Sequence, residues 1–255
     1  MLEKLKFNGG PVIVTGGGSG IGQACAEALA ELGASLVLVG RTMSKLKETE
    51  ALVQKYRVPV ECYQVDVSDE AQVKGLHEAV SARHKFVKAV INNAGTNHVS
   101  KITDLKTEDW NRIIAIDLTS VFYMCKLFIP MLMKAPGGGS IVNVASTFGV
   151  IGHPNMPVYC AAKGGMMSLT RQLAIDYGKD GVRVNSLCPG ATLSPRVKGY
   201  MEKGLVDAEA TRKLATLERL AECDEIANAA VFLASDAASY VHGTAFVVDG
   251  GQTIH

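Results

Sequence analysis

A run of closely spaced glycines after the first apolar segment constrains the fold of this chain more than any other feature. Val12–Thr15 is a short β-branched run, typical of a buried parallel strand. The glycine-rich residues 16–22 follow, and a helical pattern of apolar residues then continues to Gly33. A second apolar strand, Leu36–Val39, comes next. This order predicts a βαβ unit with a glycine-rich first turn, and therefore an α/β fold.

Glycines at such a turn allow the backbone to approach a phosphate group closely. Without Cβ atoms the turn can lie against a pyrophosphate, whose negative charge then faces the N-terminus of the next helix. The spacing is T-G-x-x-x-G-x-G, which differs from the more common G-x-G-x-x-G. The sequence predicts a dinucleotide site to which the turn contributes Gly16, Gly18, Ser19, Gly20, Ile21 and Gly22.

The end of the second strand indicates which dinucleotide binds. An acidic residue about 20 positions beyond the glycine turn would bind the adenosine ribose hydroxyls and select NAD. Gly40 occupies that place, with Arg41 beside it and Lys45 a turn later. A guanidinium suits a 2′-phosphate through bidentate hydrogen bonds, so NADP is expected in preference to NAD. The alternative interpretation is a solvated loop arginine.

Strands and helices continue to alternate along the chain. A single domain over residues 1–255 is expected, with a doubly wound parallel sheet of about seven strands and helices on both faces. Thr107 is expected to cap the longest predicted helix. Pro136–Gly139 are expected to end the helical pattern after it. Further strands are predicted over 60–65, 87–91, 141–145, 182–187 and 244–248, helices over 69–83, 107–134, 157–177 and 222–234, and a flap over 191–217.

Polar and small residues follow several of these strands, at the edge where open α/β sheets bind ligands. Asp66 follows the third strand and is expected to reach the adenine amine. The fourth strand ends in Asn92-Asn93-Ala94-Gly95, where small residues would let a cofactor lie close. Ser146 lies at the end of the fifth strand. The cofactor contacts predicted on the first two of these segments are Asp66, Val67, Asn93, Ala94 and Gly95.

Tyr159 and Lys163 are four residues apart on a predicted helix, so they share one face about one turn apart. A nearby ammonium favours the phenolate form of a tyrosine and makes it more useful for proton transfer. Alone, the Y-x-x-x-K pattern occurs by chance in many helices. It gains meaning only beside a hydride carrier, a partner for a carbonyl oxygen and a cleft.

Taken together, these motifs resemble the short-chain dehydrogenase/reductase family in order and spacing. The similarity extends from about residue 11 to 251 and includes T-G-x-x-x-G-x-G, N-N-A-G, Ser146, Y-x-x-x-K, Pro189-Gly190 and a final Asp249-Gly250-Gly251. The resemblance implies a Rossmann-type fold. It also implies an NAD(P)-dependent oxidoreductase that interconverts a secondary alcohol and a ketone by hydride transfer.

The resemblance implies roles for individual side chains. Ser146 would hydrogen-bond the substrate oxygen, and Tyr159 would be the general acid in reduction and the general base in oxidation. Lys163 would bind the nicotinamide ribose hydroxyls and, with the positive ring of the oxidised cofactor, favour the phenolate. The nicotinamide carboxamide would be contacted by Pro189, Gly190, Thr192 and Ser194.

Asp117 departs from the family pattern. Similar proteins usually carry an asparagine in a W-x-x-x-x-x-x-N-L stretch, where it supports a water relay to the lysine, but here Trp110 precedes Asp117-Leu118. A carboxylate near Lys163 would pair with the ammonium and weaken its effect on Tyr159. Asp117 is therefore expected to tune the optimum pH or lower the rate rather than abolish activity. A tolerated exchange without functional consequence is the alternative.

Composition argues against several other classes of protein. The formal net charge is +1, which indicates neither a nucleic-acid nor a membrane partner. The six cysteines are widely spread, without C-x-x-C pairs or metal-like histidine spacing, so no metal site is expected. Cysteine usage favours the reducing cytoplasm.

The identity of the substrate is open at this level, and so are two other functions. Polyols, sugars, small ketones and 3-oxoacyl groups are all compatible with the expected pocket. A 3-oxoacyl-thioester (acyl carrier protein) reductase and a non-catalytic dinucleotide-sensing regulator are the alternatives to a secondary-alcohol oxidoreductase. Family resemblance suggests that the helices 107–134 and 157–177 pair with other subunits in a homotetramer, a dimer of dimers. The expected pocket residues are His98, Thr147, Phe148, His153 and Asn155.

Overall fold

A parallel sheet forms the centre of the protein in the computed structural model, which describes residues 2–7 and 9–254. The described strands are β1 (Val12–Thr15), β2 (Leu36–Gly40), β3 (Val60–Gln64), β4 (Ala89–Asn92), β5 (Gly139–Val144), β6 (Val182–Pro189) and β7 (Ala245–Val248). Their order in this seven-stranded sheet is β3-β2-β1-β4-β5-β6-β7, and every pairing is parallel. Strand order reverses between β1 and β4, so the predicted doubly wound sheet is confirmed.

Helices cover both faces of this sheet. The described α-helices are α1 (Gly20–Glu31), α2 (Met43–Val53), α3 (Glu70–Arg83), α4 (Thr107–Ile114), α5 (Ser120–Leu132), α6 (Pro157–Tyr177), α7 (Pro195–Glu202), α8 (Ala208–Arg212) and α9 (Cys223–Ala234). The buried residues of α1, α2 and α9 pack in one apolar cluster with Val12 and Val14. Those of α3, α5 and α6 pack in a second cluster with Ile13. Because both faces are covered, the central strands β1, β2 and β4 are nearly continuous apolar runs rather than alternating ones.

The helices α4 and α5 are joined by a π-helical turn over Ala115–Thr119. The whole segment Thr107–Leu132 is one helix of 26 residues, long and apolar enough to cross a membrane by length and composition alone. In this structure many of its apolar residues, such as Phe128 and Leu132, are buried in the core beside the sheet. The predicted Thr107 cap is wrong, because Lys106 is the N-cap residue and its side chain makes no capping bond.

Several strand boundaries differ from the prediction for reasons of strand pairing. Gly139, expected in the break after α5, is the first residue of β5, where its N–H donates to the carbonyl of Gly181 at 3.1 Å. β6 continues to Pro189 because that residue pairs with Val248 of the edge strand β7. The residue pattern predicted β4 over 87–91, but the strand covers 89–92. These partners are distant in sequence, so local pattern does not fix where each strand ends.

The turn that leads into β5 contains Gly137 and Gly138. Substituting each of them tests how tightly this part of the fold is packed. Gly137 and Gly138 have φ values of 75° and 91°, which residues with a Cβ avoid. A Cβ added to Gly138 would lie 2.3 Å from the carbonyl oxygen of Gly181, whereas one added to Gly137 would meet nothing within 4 Å. We expect Gly137→Ala to lower the free energy of unfolding by about 1 kcal/mol, and Gly138→Ala by about 3 kcal/mol. Urea denaturation followed by circular dichroism measures both, and equal losses would contradict the packing argument.

Candidate active site

The glycine-rich turn after β1 is so closely packed at Gly18 and Gly22 that these positions have no room for a side chain. A Cβ at Gly22 would lie 2.2 Å from the carbonyl oxygen of Gly16, and one at Gly18 would lie 2.9 Å from Cβ of Lys45. The following helix α1 has Ser19 as its N-cap, but the Ser19 side chain makes no capping hydrogen bond. The first N–H groups of α1 therefore remain available to an anion at the positive end of the helix. Both features fit a dinucleotide pyrophosphate.

The turn after β4 is fixed directly to the end of β1. The backbone N–H groups of Asn93 and Ala94 both donate to Thr15 Oγ1 at 3.0 Å. The side-chain amide of Asn93 donates to the Thr15 carbonyl at 2.9 Å. The two segments that the sequence predicted as cofactor contacts therefore meet at the switch point of the sheet, where ligands bind in such folds.

The carboxyl ends of β2 and β3 place the predicted adenosine contacts at the same edge. Arg41 is exposed directly after Gly40, the last residue of β2. Asp66 is half-buried, and its carboxylate accepts hydrogen bonds from the N–H and the hydroxyl of Ser68 at 3.0 and 2.6 Å. Val67 beside it is buried. Arg41 makes no ion pair within residues 2–7 and 9–254, and the Asp66 carboxylate lies farther along the same edge.

Lys163 carries its ammonium into the interior, with only 3% of the residue exposed. Nζ donates to the carbonyl of Val144, near the end of β5, at 2.9 Å. It also lies 3.5 Å from Oδ2 of Asp117 and 5.6 Å from the ring centroid of Tyr159. The predicted one-turn spacing on α6 therefore brings the ammonium beside the phenol ring.

Asp117 lies in the π-helical turn and is fully buried. Its Oδ1 accepts a hydrogen bond from the Thr96 N–H at 2.7 Å, whereas Oδ2 makes no hydrogen bond within the described residues. Burial raises the pKa of Asp117, and the Lys163 charge and the Thr96 N–H oppose that shift. Residue pattern gave no signal for this π turn, although such turns often occur at functional sites.

Ser146 follows β5 and begins a 3₁₀ turn over Thr147–Gly149. Its Oγ accepts a hydrogen bond from the Phe148 N–H at 3.2 Å. Gly149 rests on α6, since a Cβ there would lie 2.8 Å from the carbonyl carbon of Lys163. The turn that carries Ser146 is therefore seated on the turn of α6 that carries Lys163. The structure thus gathers Ser146, Tyr159, Lys163 and Asp117 around one end of β5.

Comparison with known proteins assigns the family. Residues 16–253 match the family model described as enoyl-(acyl carrier protein) reductase. The chain is 34% identical to meso-2,3-butanediol dehydrogenase of Serratia marcescens over 98% of this chain and 96% of that protein. It is 37% identical to levodione reductase of Leifsonia aquatica over 97% of this chain and 96% of that protein. The chain belongs to the short-chain dehydrogenase/reductase family.

A solved structure supports the same assignment. L-sorbose reductase of Gluconobacter frateurii, crystallised with NADPH and L-sorbose, superimposes with a TM-score of 0.92 at 31% identity, covering 98% of each chain. The relatives are dehydrogenases and reductases of alcohols and ketones, so this short-chain dehydrogenase/reductase is an oxidoreductase. The predicted family and class of enzyme are confirmed.

Four of the five expected pocket residues lie on two loops that are joined to each other. The Phe148 and His153 rings are in contact, with centroids 4.2 Å apart. The Asn155 carbonyl accepts a hydrogen bond from the Ser100 N–H at 2.7 Å, which connects this loop to the segment carrying His98. His98, Phe148, His153 and Asn155 therefore lie on two loops of this short-chain dehydrogenase/reductase that contact each other.

Thr147, the fifth expected pocket residue, is placed differently. Only 1% of it is exposed, and its hydroxyl donates to Oε1 of Gln252 at 3.4 Å. The Thr147 hydroxyl is thus directed at the C-terminal segment, although Thr147 lies in the same 3₁₀ turn as Phe148.

The segment after β6 begins beside the glycine-rich turn. Thr192 is buried, with its hydroxyl bonded to the Gly190 carbonyl at 3.0 Å. Ser194 caps α7 by accepting the Val197 N–H at 3.3 Å. A Cβ on Gly20 would lie 3.4 Å from the Ser194 and Pro195 side chains. The predicted flap thus contains the helices α7 and α8 and starts against the turn that precedes α1.

Cys25, Cys125 and Cys188 are buried and free, whereas Cys62, Cys160 and Cys223 are partly exposed. Burial raises the pKa of the Cys25 and Cys125 thiols to about 12. Within residues 2–7 and 9–254, no group of three or more His, Cys, Asp or Glu side chains is arranged to hold a metal ion.

The raised pKa of Asp117 predicts an inverted dependence of stability on pH. A carboxyl that holds its proton more tightly in the folded protein stabilises the fold at low pH, and that contribution falls as the pH rises through the raised pKa. We expect the stability of Asp117→Asn relative to the parent to increase from about pH 4 upwards, by about 1.4 kcal/mol per unit of pKa difference. Denaturant unfolding at a series of pH values measures this.

Asp109 provides a matched control for that experiment. A hydrogen bond from Arg112 lowers the pKa of Asp109, so this carboxylate stabilises the fold above its ordinary pKa. The stability of Asp109→Asn relative to the parent should therefore change with pH in the opposite direction. Parallel pH dependences of the two variants would refute the assignment for Asp117.

Proposed function

We propose that this enzyme interconverts a secondary alcohol and a ketone with NADP(H), using Tyr159 as general acid in reduction and general base in oxidation. The position of Lys163 carries the proposal. An ammonium has three N–H donors, and two of them face the Val144 carbonyl and Asp117. The third is left for the cofactor ribose, next to the Tyr159 ring.

The residues around Lys163 fit proton transfer to a carbonyl oxygen. Because Ser146 Oγ accepts the Phe148 N–H, its own O–H is free to donate to the substrate oxygen. The Tyr159 hydroxyl gives its proton to that oxygen as negative charge develops there, and the Lys163 ammonium stabilises the phenolate that remains. In oxidation the phenolate takes the proton back. The bound cofactor supplies or receives the hydride at the carbonyl carbon.

The cofactor would be held along the carboxyl edge of the sheet. The pyrophosphate would lie on the glycine-rich turn at the N-terminus of α1, and Arg41 would bind the 2′-phosphate. NADP is supported by NADPH in the related L-sorbose reductase and by NADP in a related 2-deoxy-d-gluconate 3-dehydrogenase structure. The remaining contacts would come from Asp66, Val67, Asn93, Ala94, Gly95, Tyr159, Lys163, Pro189, Gly190, Thr192 and Ser194.

The proposed substrate is a small polar alcohol or ketone. Three relatives are named for small hydroxylated compounds, namely meso-2,3-butanediol, D-threitol and L-sorbose. The loops beside Ser146 carry His98, His153 and Asn155, which can hydrogen-bond such hydroxyl groups. These polar side chains favour a hydroxylated substrate over a long acyl chain.

We also propose that the enzyme is a cytoplasmic homotetramer. Large apolar side chains are exposed on the two helices that the family resemblance assigns to subunit contacts. Phe122 on α5 is 46% exposed, and Ile175 on α6 is 76% exposed. A second subunit covering these helices would remove that apolar surface from water.

Replacing the proposed acid tests the reaction. We expect Tyr159→Phe to lower kcat by about 10²- to 10⁴-fold and to weaken NADPH binding much less, because the change removes one hydroxyl among many proposed cofactor contacts. Tyr177→Phe, a change of the same type on the same helix, should keep the parent rate. Absorbance of the nicotinamide band, recorded while ketones, sugars and alcohols are added, measures turnover. Full activity in Tyr159→Phe would contradict the proposal, and tight NADPH binding without turnover in the parent would favour a dinucleotide-sensing regulator.

The cofactor preference is tested at Arg41. Removing a guanidinium that binds a phosphate costs about 1.5–3 kcal/mol, so Arg41→Ala should weaken NADPH binding by about 10- to 100-fold. NADH has no 2′-phosphate, so its affinity in the same variant is the control and should not change. Calorimetric or fluorescence titrations measure both cofactors. Tighter binding of NADH than of NADPH by the parent would show that the interpretation of Gly40-Arg41 is wrong.

A further inference from the structure

The helix α7 of the flap is hydrogen-bonded to the loop that follows β4. Arg196 and Tyr200 are one turn apart and share a face of α7. Nη2 of Arg196 donates to the Gly95 carbonyl at 2.5 Å, and the Tyr200 hydroxyl donates to Oδ1 of Asn97 at 3.1 Å. We call residues 95–97 the Gly95–Asn97 loop. It has no regular secondary structure, so contacts with α7 contribute to holding it in place.

The other side of the same loop contacts the buried ion pair. The Thr96 N–H, between the two acceptors of α7, donates to Oδ1 of Asp117 at 2.7 Å. A Cβ built on Gly95 would lie 3.3 Å from Oδ2 of Asp117 and 3.4 Å from Nζ of Lys163. The backbone of the Gly95–Asn97 loop therefore lies between α7 of the flap and the Lys163–Asp117 pair.

The charges on both sides of the loop act on the same carboxyl group. Lys163 on α6 and Arg196 on α7 both favour the ionised form of Asp117, and burial opposes it. The Arg196 side chain is exposed and makes no ion pair with any carboxylate in the described part of the chain. Its hydrogen bond to Gly95 therefore keeps a charge near Asp117 that nothing else holds there.

We propose that Arg196 and Tyr200 are positioning residues for the reaction at Tyr159. By fixing the Gly95–Asn97 loop, they keep the Thr96 N–H on Asp117, and Asp117 in turn keeps Lys163 beside the Tyr159 ring. The inference rests on the proposed function. It gives the flap a role in supporting the lysine, because α7 holds the loop that binds Asp117.

The kinetic test compares Arg196→Met and Tyr200→Phe with Lys198→Met, which removes a cation from the same helix. Assays use NADPH and the best ketone found for the parent. We expect each of the first two variants to lower kcat by about three- to tenfold with KM changed less than about twofold. The double variant should fall little further, because both changes release the same loop. Lys198→Met should keep the parent values.

A change at Asp117 separates positioning from substrate contact. In an Asp117→Asn background the neutral amide has no charge with which to hold Lys163, so Arg196→Met should change kcat by less than about twofold. An equal loss of kcat in both backgrounds would overturn the proposal. So would a raised KM with unchanged kcat in Arg196→Met, because that result assigns the guanidinium to substrate binding.

Hydrogen exchange tests the same contacts without turnover. In the cofactor-free protein, Arg196→Met and Tyr200→Phe should speed exchange of the Thr96 amide by about tenfold, measured by mass spectrometry on a peptide spanning residues 94–99. Lys198→Met should not. Faster exchange in a protein that turns over no carbonyl substrate would support the loop contacts while removing the proposed function. Unchanged exchange in both variants would overturn the inference whatever the enzyme catalyses.

Discussion

A buried ammonium is the constraint on which the arrangement of this site depends. Taking a charged amine out of water costs several kcal/mol unless hydrogen bonds and an opposite charge compensate. Lys163 obtains these from the Val144 carbonyl of β5 and from Asp117 in the π-helical turn. Because partners from two other elements converge on one nitrogen of α6, none of these elements can shift without uncovering a charge. The glycine at 149, on which no side chain fits, lets the Ser146 turn settle onto the same part of α6.

The pairing of Lys163 with Asp117 is loose, and this suits the role proposed for the lysine. Charge-assisted hydrogen bonds are usually about 2.7–2.9 Å long, whereas these two groups are 3.5 Å apart. In a closer pair the Lys163 ammonium would form a strong hydrogen bond with the Asp117 carboxylate. At this distance Asp117 supplies compensating charge, and the Thr96 N–H holds its other oxygen. An asparagine would keep the hydrogen bond to Thr96 but not the charge. The exchange at this position therefore alters electrostatics more than shape.

The sequence predicts what local pattern controls, and it misses what distant residues impose. The βαβ alternation, the glycine-rich turn and the spacing of Tyr159 and Lys163 depend on neighbours in the chain, so they could be derived from the sequence alone. The π turn and the extension of β5 to Gly139 depend on tertiary partners. The contact of Arg196 with Gly95 joins residues 101 positions apart, one of them an exposed cation, and no motif announces it.

The turn after β4 shows why motif residues can be recognised before their physical role is known. The side-chain amide of Asn93 donates to the Thr15 carbonyl, so it connects the end of β4 to the end of β1 at the switch point. Gly95 does not have a positive φ, so backbone freedom is not the reason for a glycine there. The reason is space, because Asp117 and Lys163 both lie within 3.4 Å of the position that its Cβ would take. A side chain at that position would push the loop away from the ion pair and towards the flap. Gly95, the smallest residue of the motif, therefore lies between the buried Lys163–Asp117 pair and α7.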